Sequence, residues 1–490
     1  MTLSLPRKIA HGATWMLLFK LLDRGLGFVS TVVLARVLAP ADFGLVAMAM
    51  SVIALIELAS AFSLEVALIQ RKTPSRAHYD TTWTLRLLLG VFCAVATAAM
   101  AYPTAHFYAD MRLAPILFLL AAGWLVESLE NIGTVDFRRD LNFRKEFVFL
   151  IAKRLIGVVV TLTIALIWQT YWALIAGTLA GRTLGVKLSY VMQPYRPRFS
   201  LAVWRELMAF SGWLFATNLL WFINSRLSHF VIGRTQGAGA LGLFTVSSDV
   251  AALASNEITM PINRAVMPGL SRMAEEQNGL STGLLKVVSA VMLIALPASF
   301  GLMAVAEPLV LTLLGPKWIE AVPAVQILAF AGALQSLTAN NQSAYLASGR
   351  SHVPAISHLV LACVLVPLLV LLSGRGVVGI AWAQLGATGA AACVSVVLMR
   401  HYLSVRLMQL LRVVVRPLVA AALMGEAIHA LDAARFFLGE DLGAVPRLLL
   451  GVGAGVAVYG VLIIALWFVA GRPHGAERAI YERVWRRAVA

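Results

Sequence analysis

The chain has 490 residues, of which 60% are hydrophobic and only 13% are charged, and its formal net charge is +16. A soluble domain of this size is about 25% charged, so this composition excludes an ordinary soluble globular protein. The positive charge does not indicate a nucleic-acid-binding protein, because the Lys and Arg residues lie between apolar segments. There they set membrane topology and contact anionic lipid headgroups. The chain is therefore predicted to be an integral membrane protein.

Apolar segments of roughly 20 residues recur along the chain, each long enough to cross a bilayer as a helix. The pattern predicts an all-α polytopic membrane protein with about 14 transmembrane helices. The first six lie near 13–37, 43–69, 82–102, 113–133, 148–168 and 172–192. The next six lie near 207–234, 241–262, 285–306, 322–346, 354–373 and 377–399, and a weaker pair lies near 416–434 and 448–470. The short polar start does not resemble a cleavable signal peptide.

The distribution of Lys and Arg predicts the orientation. With the N-terminus placed in the cytoplasm, 25 of these residues lie in cytoplasmic segments, seven in outer segments and eight inside spans. Cytoplasmic segments of membrane proteins carry the excess of Lys and Arg. Both termini are therefore predicted to be cytoplasmic.

The first and seventh spans share a pattern at an offset of 198 residues. The matching pairs are Trp15 with Trp213, Arg36 with Arg234, and Gly44-Leu45 with Gly242-Leu243. Six spans separate the copies, so both begin on the same side of the membrane, which predicts a parallel repeat of two six-helix bundles. The predicted domains are residues 1–200, residues 201–405, and an extra helix pair with a basic tail in residues 406–490.

Charged residues inside the first span form the first candidate functional surface. A lipid-facing ionisable side chain costs at least a few kcal/mol, so such residues normally face a partner or a wet cavity. Lys20 and Arg24 are one helical turn apart, and Asp23 lies on the same side, so the cluster carries a net charge of +1. Two interpretations remain open: a self-neutralised triplet near a helix end, or the wall of a cationic cavity.

The seventh span supplies a second candidate surface. Asn218, Ser225 and His229 form a polar stripe at helical spacing, with Arg226 on its flank. Polar helix packing explains the stripe, but it explains an Arg near mid-span less well. Arg86 lies about one turn inside the third span, where it either snorkels to the surface or binds an anion. The predicted substrate-binding residues are Lys20, Arg24, Arg86, Asn218, Arg226 and His229.

Other polar residues inside spans suggest ion coupling or a cavity lining. Glu65, Asp249 and Glu257 are candidates for binding H⁺ or Na⁺, and salt-bridge formation is the alternative interpretation. The tenth span is unusually polar and is predicted to line a cavity. Its polar residues are Gln326, Gln335, Ser336, Thr338, Asn340, Asn341 and Gln342.

The sequence lacks the signatures of several catalytic classes. Cys93, Cys363 and Cys393 lie inside apolar runs without disulfide or metal-ligand spacing, as expected of small packing residues. The chain has no GxxxxGK[ST] phosphate loop, so ATP hydrolysis of that kind is not predicted. No predicted outer loop exceeds roughly 16 residues, whereas a membrane glycosyltransferase or polymerase needs a larger folded loop. No enzymatic activity, cofactor or metal is predicted.

Four stretches resemble the polysaccharide transporter family, which includes Wzx-type oligosaccharide flippases. This family belongs to the multidrug/oligosaccharidyl-lipid/polysaccharide flippase superfamily. In chain order the stretches are ARVLAPADFGLVAMA (Ala35–Ala49), SLEVALIQRK (Ser63–Lys72), ENIGTVDFRRDLNFRKEF (Glu130–Phe147) and PINRAVMPGLSRM (Pro261–Met273). None is a catalytic signature, so the specificity comes from the set and the topology together.

The resemblance implies two bundles around a central cavity that opens alternately to each side of the bacterial inner membrane. It also implies a lipid-linked substrate, an undecaprenyl pyrophosphate that carries a repeat unit of exopolysaccharide, capsule or O-antigen lipopolysaccharide. Family members usually have 12 spans, so the two extra C-terminal spans are a departure that suits either a lipid groove or a partner surface. Expected partners are the substrate, membrane lipids and the polymerase and export machinery of a polysaccharide pathway.

Two alternative functions remain open. A cation-coupled multidrug exporter of the same superfamily should line its cavity with acids and aromatics, whereas the clearest mid-span charges here, Lys20, Arg24 and Arg226, are basic. A membrane polysaccharide polymerase or ligase is disfavoured by the short outer loops.

Overall fold

The computed structural model describes residues 5–59, 65, 68–69, 71, 73–205, 212–273, 279–350, 353–437 and 443–472, which form helices and turns without strands. The first long helices are α1 Leu5–Val37, α2 Pro40–Ala59, α3 Arg76–Tyr108, α4 Leu113–Ser128, α5 Phe143–Trp168 and α6 Trp172–Met192. They are followed by α7 Gly212–Met273, α8 Gly279–Ala304, α9 Val322–Thr338, α10 Val353–Leu372, α11 Gly376–Leu403, α12 Leu407–Phe437 and α13 Ala444–Val469.

α7 is bent, which turns the thirteen long helices into fourteen segments. The bend lies at Gly237, whose φ of 81° belongs to the region that glycine adopts without steric cost. By length and composition, nine stretches of the described residues suit a membrane span, or ten with the bent pair Leu113–Ser128 and Ile132–Arg139. One stretch, Val353–Leu403, contains both α10 and α11. The predicted all-α polytopic fold is confirmed, and about 14 spans agree with these segments.

Backbone contacts divide the chain into two compact units, Met1–Gly242 (unit 1) and Leu243–Ala490 (unit 2). The first limb of α7 belongs to unit 1, because Phe230 stacks on Tyr108 of α3 with 6.3 Å between ring centroids. α12 and α13 belong to unit 2, because α12 packs along α8 and α13 packs along α12. The predicted boundaries after residues 200 and 405 stay predictions.

Two repeat-related glycines form a reciprocal contact in unit 1. A Cβ atom on Gly44 would lie 1.7 Å from the carbonyl oxygen of Ala238, and one on Gly242 would lie 1.8 Å from that of Pro40. Both pairs, 44 with 242 and 40 with 238, are separated by the offset of 198 residues. The reciprocal contact therefore joins positions that the predicted repeat relates, and the repeat itself stays a prediction.

α4 ends early, and Asn131 stabilises the break that follows it. The chain turns through Ile132–Val135 into the short helix Asp136–Arg139, which is bent by 70° from α4. The fully buried side chain of Asn131 accepts a hydrogen bond from Gly133 N and donates one to the carbonyl oxygen of Tyr195 at 2.7 Å. These bonds satisfy backbone groups that a helix end leaves unpaired. The break places Glu127 and Glu130 inside the bundle of unit 1.

The C-terminal helix pair is attached to unit 2 by polar contacts as well as by packing. Arg447, at the start of α13, pairs with Glu307 at 3.7 Å and with Asp432 of α12 at 3.6 Å. At the other end of the bundle, Leu284, Met292, Met399 and Ala421 belong to one hydrophobic core shared by α8, α11 and α12.

Candidate functional site

A cationic surface lies along α1 and α5 and is called here the α1–α5 face (Lys20, Asp23, Arg24 and Arg154). Lys20 and Arg24 are exposed. Asp23 pairs with Arg154 Nε of α5 at 3.0 Å. Three cations and one acid give this face a net charge of +2 in place of the +1 expected from α1 alone. Gly27 leaves room for the Arg154 guanidinium, which lies 2.9 Å from where a Cβ atom would stand.

A second group of charges, the mid-span cluster (Glu57, Glu127, Arg182 and Arg226), joins α2, α4, α6 and α7. Arg182 Nε contacts Glu127 Oε2 at 3.1 Å, and its guanidinium lies 5.1 Å from the centroid of the Trp124 ring. Glu57 lies within electrostatic range of the other three charges. Arg182 is ten residues from either end of α6, or about 15 Å along the axis. This cluster therefore lies near the middle of the helices.

Arg226 is the least compensated cation of the mid-span cluster. Among the described residues, no carboxylate oxygen lies within 4.0 Å of its guanidinium, and its buried Nε has no hydrogen-bond partner. It lies 11 residues before the bend at Gly237, or about 16 Å along α7. A charge at such depth requires a polar environment or a counter-ion.

A third group, the Glu130 network, surrounds the break after α4. Arg86 pairs with Glu65 at 3.4 Å and with Glu130 at 4.0 Å, and it donates a hydrogen bond to the carbonyl oxygen of Glu127. Lys153 Nζ contacts Glu130 Oε2 at 2.7 Å. Arg138 pairs with Glu65 at 3.7 Å and is hydrogen-bonded to Glu146. Three acids and three cations make this network electrically neutral.

The structure brings some of the predicted residues together and separates others. Arg86 and Glu65, predicted for substrate binding and ion coupling respectively, form an ion pair. His229 is half-buried near Arg226, and Asp249 is exposed on the second limb of α7. The side chains of Asn218 and Glu257 lie outside the described residues. The roles proposed for all of these residues stay predictions.

Three cations of these groups were not predicted from the sequence, namely Lys153, Arg154 and Arg182. All three belong to the eight Lys and Arg residues that lie inside predicted spans, of which only Lys20, Arg24, Arg86 and Arg226 were selected. The signal was therefore present, because any ionisable residue inside a span indicates a functional or paired position. Their partners could not be found without the fold, since the acids lie 23 to 131 residues away in the sequence.

Unit 2 contains an apolar groove of about 890 Å³ between the second limb of α7, α8, α12 and α13. Its wall includes Leu253, Pro297, Met424, Gly455, Tyr459 and Trp467. Tyr459 donates its hydroxyl hydrogen to the carbonyl oxygen of Leu293 at 2.8 Å, so its polar atom is satisfied. The groove suits a hydrocarbon chain, because its wall offers few hydrogen-bonding groups.

A polytopic helical bundle with charges near mid-span is typical of a membrane transporter. Residues 33–323 match the family described as "Polysaccharide biosynthesis protein". This match covers more than half of the chain, which therefore belongs to that family. The resemblance found in the sequence is confirmed.

Several known proteins resemble the chain. It is 28% identical over 339 residues to the lipopolysaccharide biosynthesis protein WzxC of Escherichia coli, covering 68% of this chain and 69% of the relative. It is 25% identical over 328 residues to the succinoglycan biosynthesis transport protein ExoT of Rhizobium meliloti, covering 66% of each. The solved structure of the lipid II flippase MurJ has the same fold, with a TM-score of 0.74 at 12% identity, over 93% of this chain and 99% of MurJ.

Proposed function

We propose that the chain is a flippase for a lipid-linked oligosaccharide in the bacterial inner membrane. Its substrate is an undecaprenyl pyrophosphate that carries a repeat unit, moved from the cytoplasmic to the periplasmic leaflet for exopolysaccharide, capsule or O-antigen assembly. The names of WzxC and ExoT support this proposal, as does the fold shared with a lipid II flippase. The single observation that carries it in this chain is Arg226, a mid-helix cation without a close carboxylate among the described residues.

The chemistry of a pyrophosphate matches such cations. Moving a bare anion through hydrocarbon costs tens of kcal/mol by a Born estimate. Guanidinium groups offer planar donor forks that fit phosphate oxygens, and Arg226 Nε has an unused donor hydrogen. The α1–α5 face, with its net charge of +2, supplies further cations. Lys20, Arg24, Arg86, Asn218, Arg226 and His229 are the proposed substrate-binding residues.

The polyprenyl chain does not need a polar path. We assign it to the apolar groove beside α12 and α13, which gives the two extra helices a function. The groove is as apolar as the bilayer interior, so the chain can stay in a hydrocarbon environment while the headgroup crosses.

The driving force does not require a nucleotide. Outward movement of negative charge runs with an inside-negative potential and gains about 2.3 kcal/mol per charge per 100 mV. Glu65, Asp249 and Glu257 remain the proposed ion-coupling residues. Glu65 forms ion pairs with both Arg86 and Arg138, which connects this candidate to the Glu130 network.

The orientation with both termini in the cytoplasm is part of the proposal, as is contact with a polymerase and export machinery. Single cysteines near Arg138 are expected to be protected from impermeant reagents in intact cells, and cysteines near Lys317 are expected to react. The opposite labelling pattern would contradict the proposed orientation and indicate that both termini face the periplasm.

Complementation of a deletion strain tests the function. Loss of the gene should leave lipid-linked units on the cytoplasmic face and reduce surface polysaccharide. Arg226→Ala should abolish export while the amount of protein in the membrane stays normal. Arg226→Lys should retain partial export, because lysine keeps the positive charge but lacks the planar donor fork of a guanidinium group. Arg375→Ala, an exposed arginine at the end of α10, is the matched control. Near-normal export per molecule in Arg226→Ala would refute the role of this residue. In the deletion strain, normal surface polysaccharide together with raised drug sensitivity would favour a multidrug exporter.

A further inference from the structure

A buried pair of amides lies in unit 2 where α9 ends. α9 stops at Thr338, and the short helix Asn341–Ala347 begins after two intervening residues. The side chains of Asn340 and Asn341 are only 1% and 3% exposed, respectively. The tenth span was predicted to line a cavity, but these two amides are enclosed, whereas Gln335 and Gln342 are exposed.

Most polar atoms of this pair lack a protein partner. In the part of the chain that the structure describes, neither Oδ1 nor Nδ2 of Asn340 has a hydrogen bond, and Asn341 Oδ1 has none. Asn341 Nδ2 donates to Ser395 Oγ of α11 at 2.9 Å, which leaves Oδ1 as the free acceptor of that amide. Buried amides in native proteins are almost always satisfied by protein, water or an ion, so the two unpaired acceptor oxygens indicate a small occupant, and the Asn340 Nδ2 donor requires an acceptor such as a water molecule.

The available oxygens favour a monovalent cation. The two Oδ1 atoms and Ser395 Oγ are neutral hard ligands, and the carbonyl oxygens at the end of α9 add the negative end of a helix dipole. Ends of interrupted membrane helices commonly coordinate Na⁺ in transporters. A divalent ion would require carboxylates, and the described residues contain no group of three or more His, Cys, Asp or Glu arranged to hold a metal ion.

We propose that Asn340, Asn341 and Ser395 form a binding site for Na⁺ at the break after α9. The enclosed position excludes a sugar or a phosphate, because both side chains are almost completely buried. The proposed ligands include none of the candidate coupling acids Glu65, Asp249 and Glu257. It depends on the geometry of unit 2 alone and does not require the proposed transport activity.

Thermal unfolding of the purified full-length protein in detergent tests the site. NaCl is titrated against choline chloride at constant ionic strength. A ligand that binds only the folded state raises the unfolding temperature progressively, with the logarithm of its concentration above Kd, so Na⁺ should do so and choline should not. Asn340→Leu and Asn341→Leu should abolish the Na⁺-dependent shift. Gln342→Leu, at an exposed position of the same helix, should retain it.

Two outcomes would overturn the proposal. If water is the occupant, the wild type shows no shift that distinguishes Na⁺ from choline. If Na⁺ binds elsewhere, the shift persists in Asn340→Leu and Asn341→Leu. Should the leucine variants fail to fold, Asn341→Asp provides the alternative test, because it places a carboxylate at the same position. It should strengthen the Na⁺ dependence of unfolding, and an unchanged dependence would contradict the site.

Discussion

The Lys153–Glu130 ion pair offers a direct test of whether the Glu130 network holds unit 1 together. Lys153 Nζ lies 2.7 Å from Glu130 Oε2, and the Glu130 side chain is only 8% exposed. Lys153→Met keeps most of the apolar stem, which packs beside Gly185, and removes the charge. Among the described residues, Arg86 at 4.0 Å would then be the remaining ion-pair partner of Glu130. Breaking a buried ion pair costs about 3–5 kcal/mol of unfolding free energy. Because Arg86 still partly compensates the Glu130 charge, we expect a loss at the lower end, about 3 kcal/mol.

A double-mutant cycle separates the pair from its surroundings. Glu130→Gln in the Lys153→Met background removes the stranded carboxylate, so it should recover most of the lost stability. Thermal unfolding of the purified protein and the amount of folded protein in membranes are the two measurements. Lys187→Met, at an exposed position of α6, is the control. The reasoning is refuted if Lys153→Met unfolds at the temperature of Lys187→Met, or if Glu130→Gln adds to the loss.

Two further predictions concern the glycine contact and the turn between α3 and α4. Gly44→Ala and Gly242→Ala should each strongly lower the unfolding temperature, because the added methyl group would overlap a carbonyl oxygen. Gly25→Ala should be tolerated, since no atom lies within 4 Å of the position that its methyl group would take and alanine favours a helix. The pKa of Asp110 lies below its usual value, because Arg112 donates hydrogen bonds to its carboxylate. Its stabilising contribution is therefore complete above an unfolded pKa of about 3.9 and is lost as pH falls through the lowered value. The stability difference between wild type and Asp110→Asn should accordingly be constant from about pH 5 to 8 and shrink in more acidic solution, whereas a constant difference down to about pH 3 would contradict the pairing.

The helices of this chain follow from local sequence, whereas its ion pairs do not. Hydropathy located the spans, because each apolar segment must be long enough to cross the bilayer. It could not show that α4 stops at Ser128, since Leu129–Val135 still contains apolar residues and the break depends on Asn131 bonding to Tyr195. Asp23 was assigned to its own helix, but it pairs with Arg154, 131 residues away. Such partners depend on tertiary packing, which spacing along one helix does not encode.

The two copies of the predicted repeat match at the glycines of the reciprocal contact but differ in their charged residues. At the offset of 198 residues, the glycines of the reciprocal contact match, while Lys20 aligns with Asn218, Arg24 with Phe222 and Phe28 with Arg226. The glycine requirement is steric and local, because any side chain there would meet a backbone carbonyl. A charge only has to meet its ligand or counter-ion, and in unit 1 those partners come from several helices. The cations of α1 and α7 can therefore occupy different turns while the backbone relation is retained. The role of Arg226 therefore depends on Glu57 and Arg182 around it, and the role of Arg24 depends on the α1–α5 face.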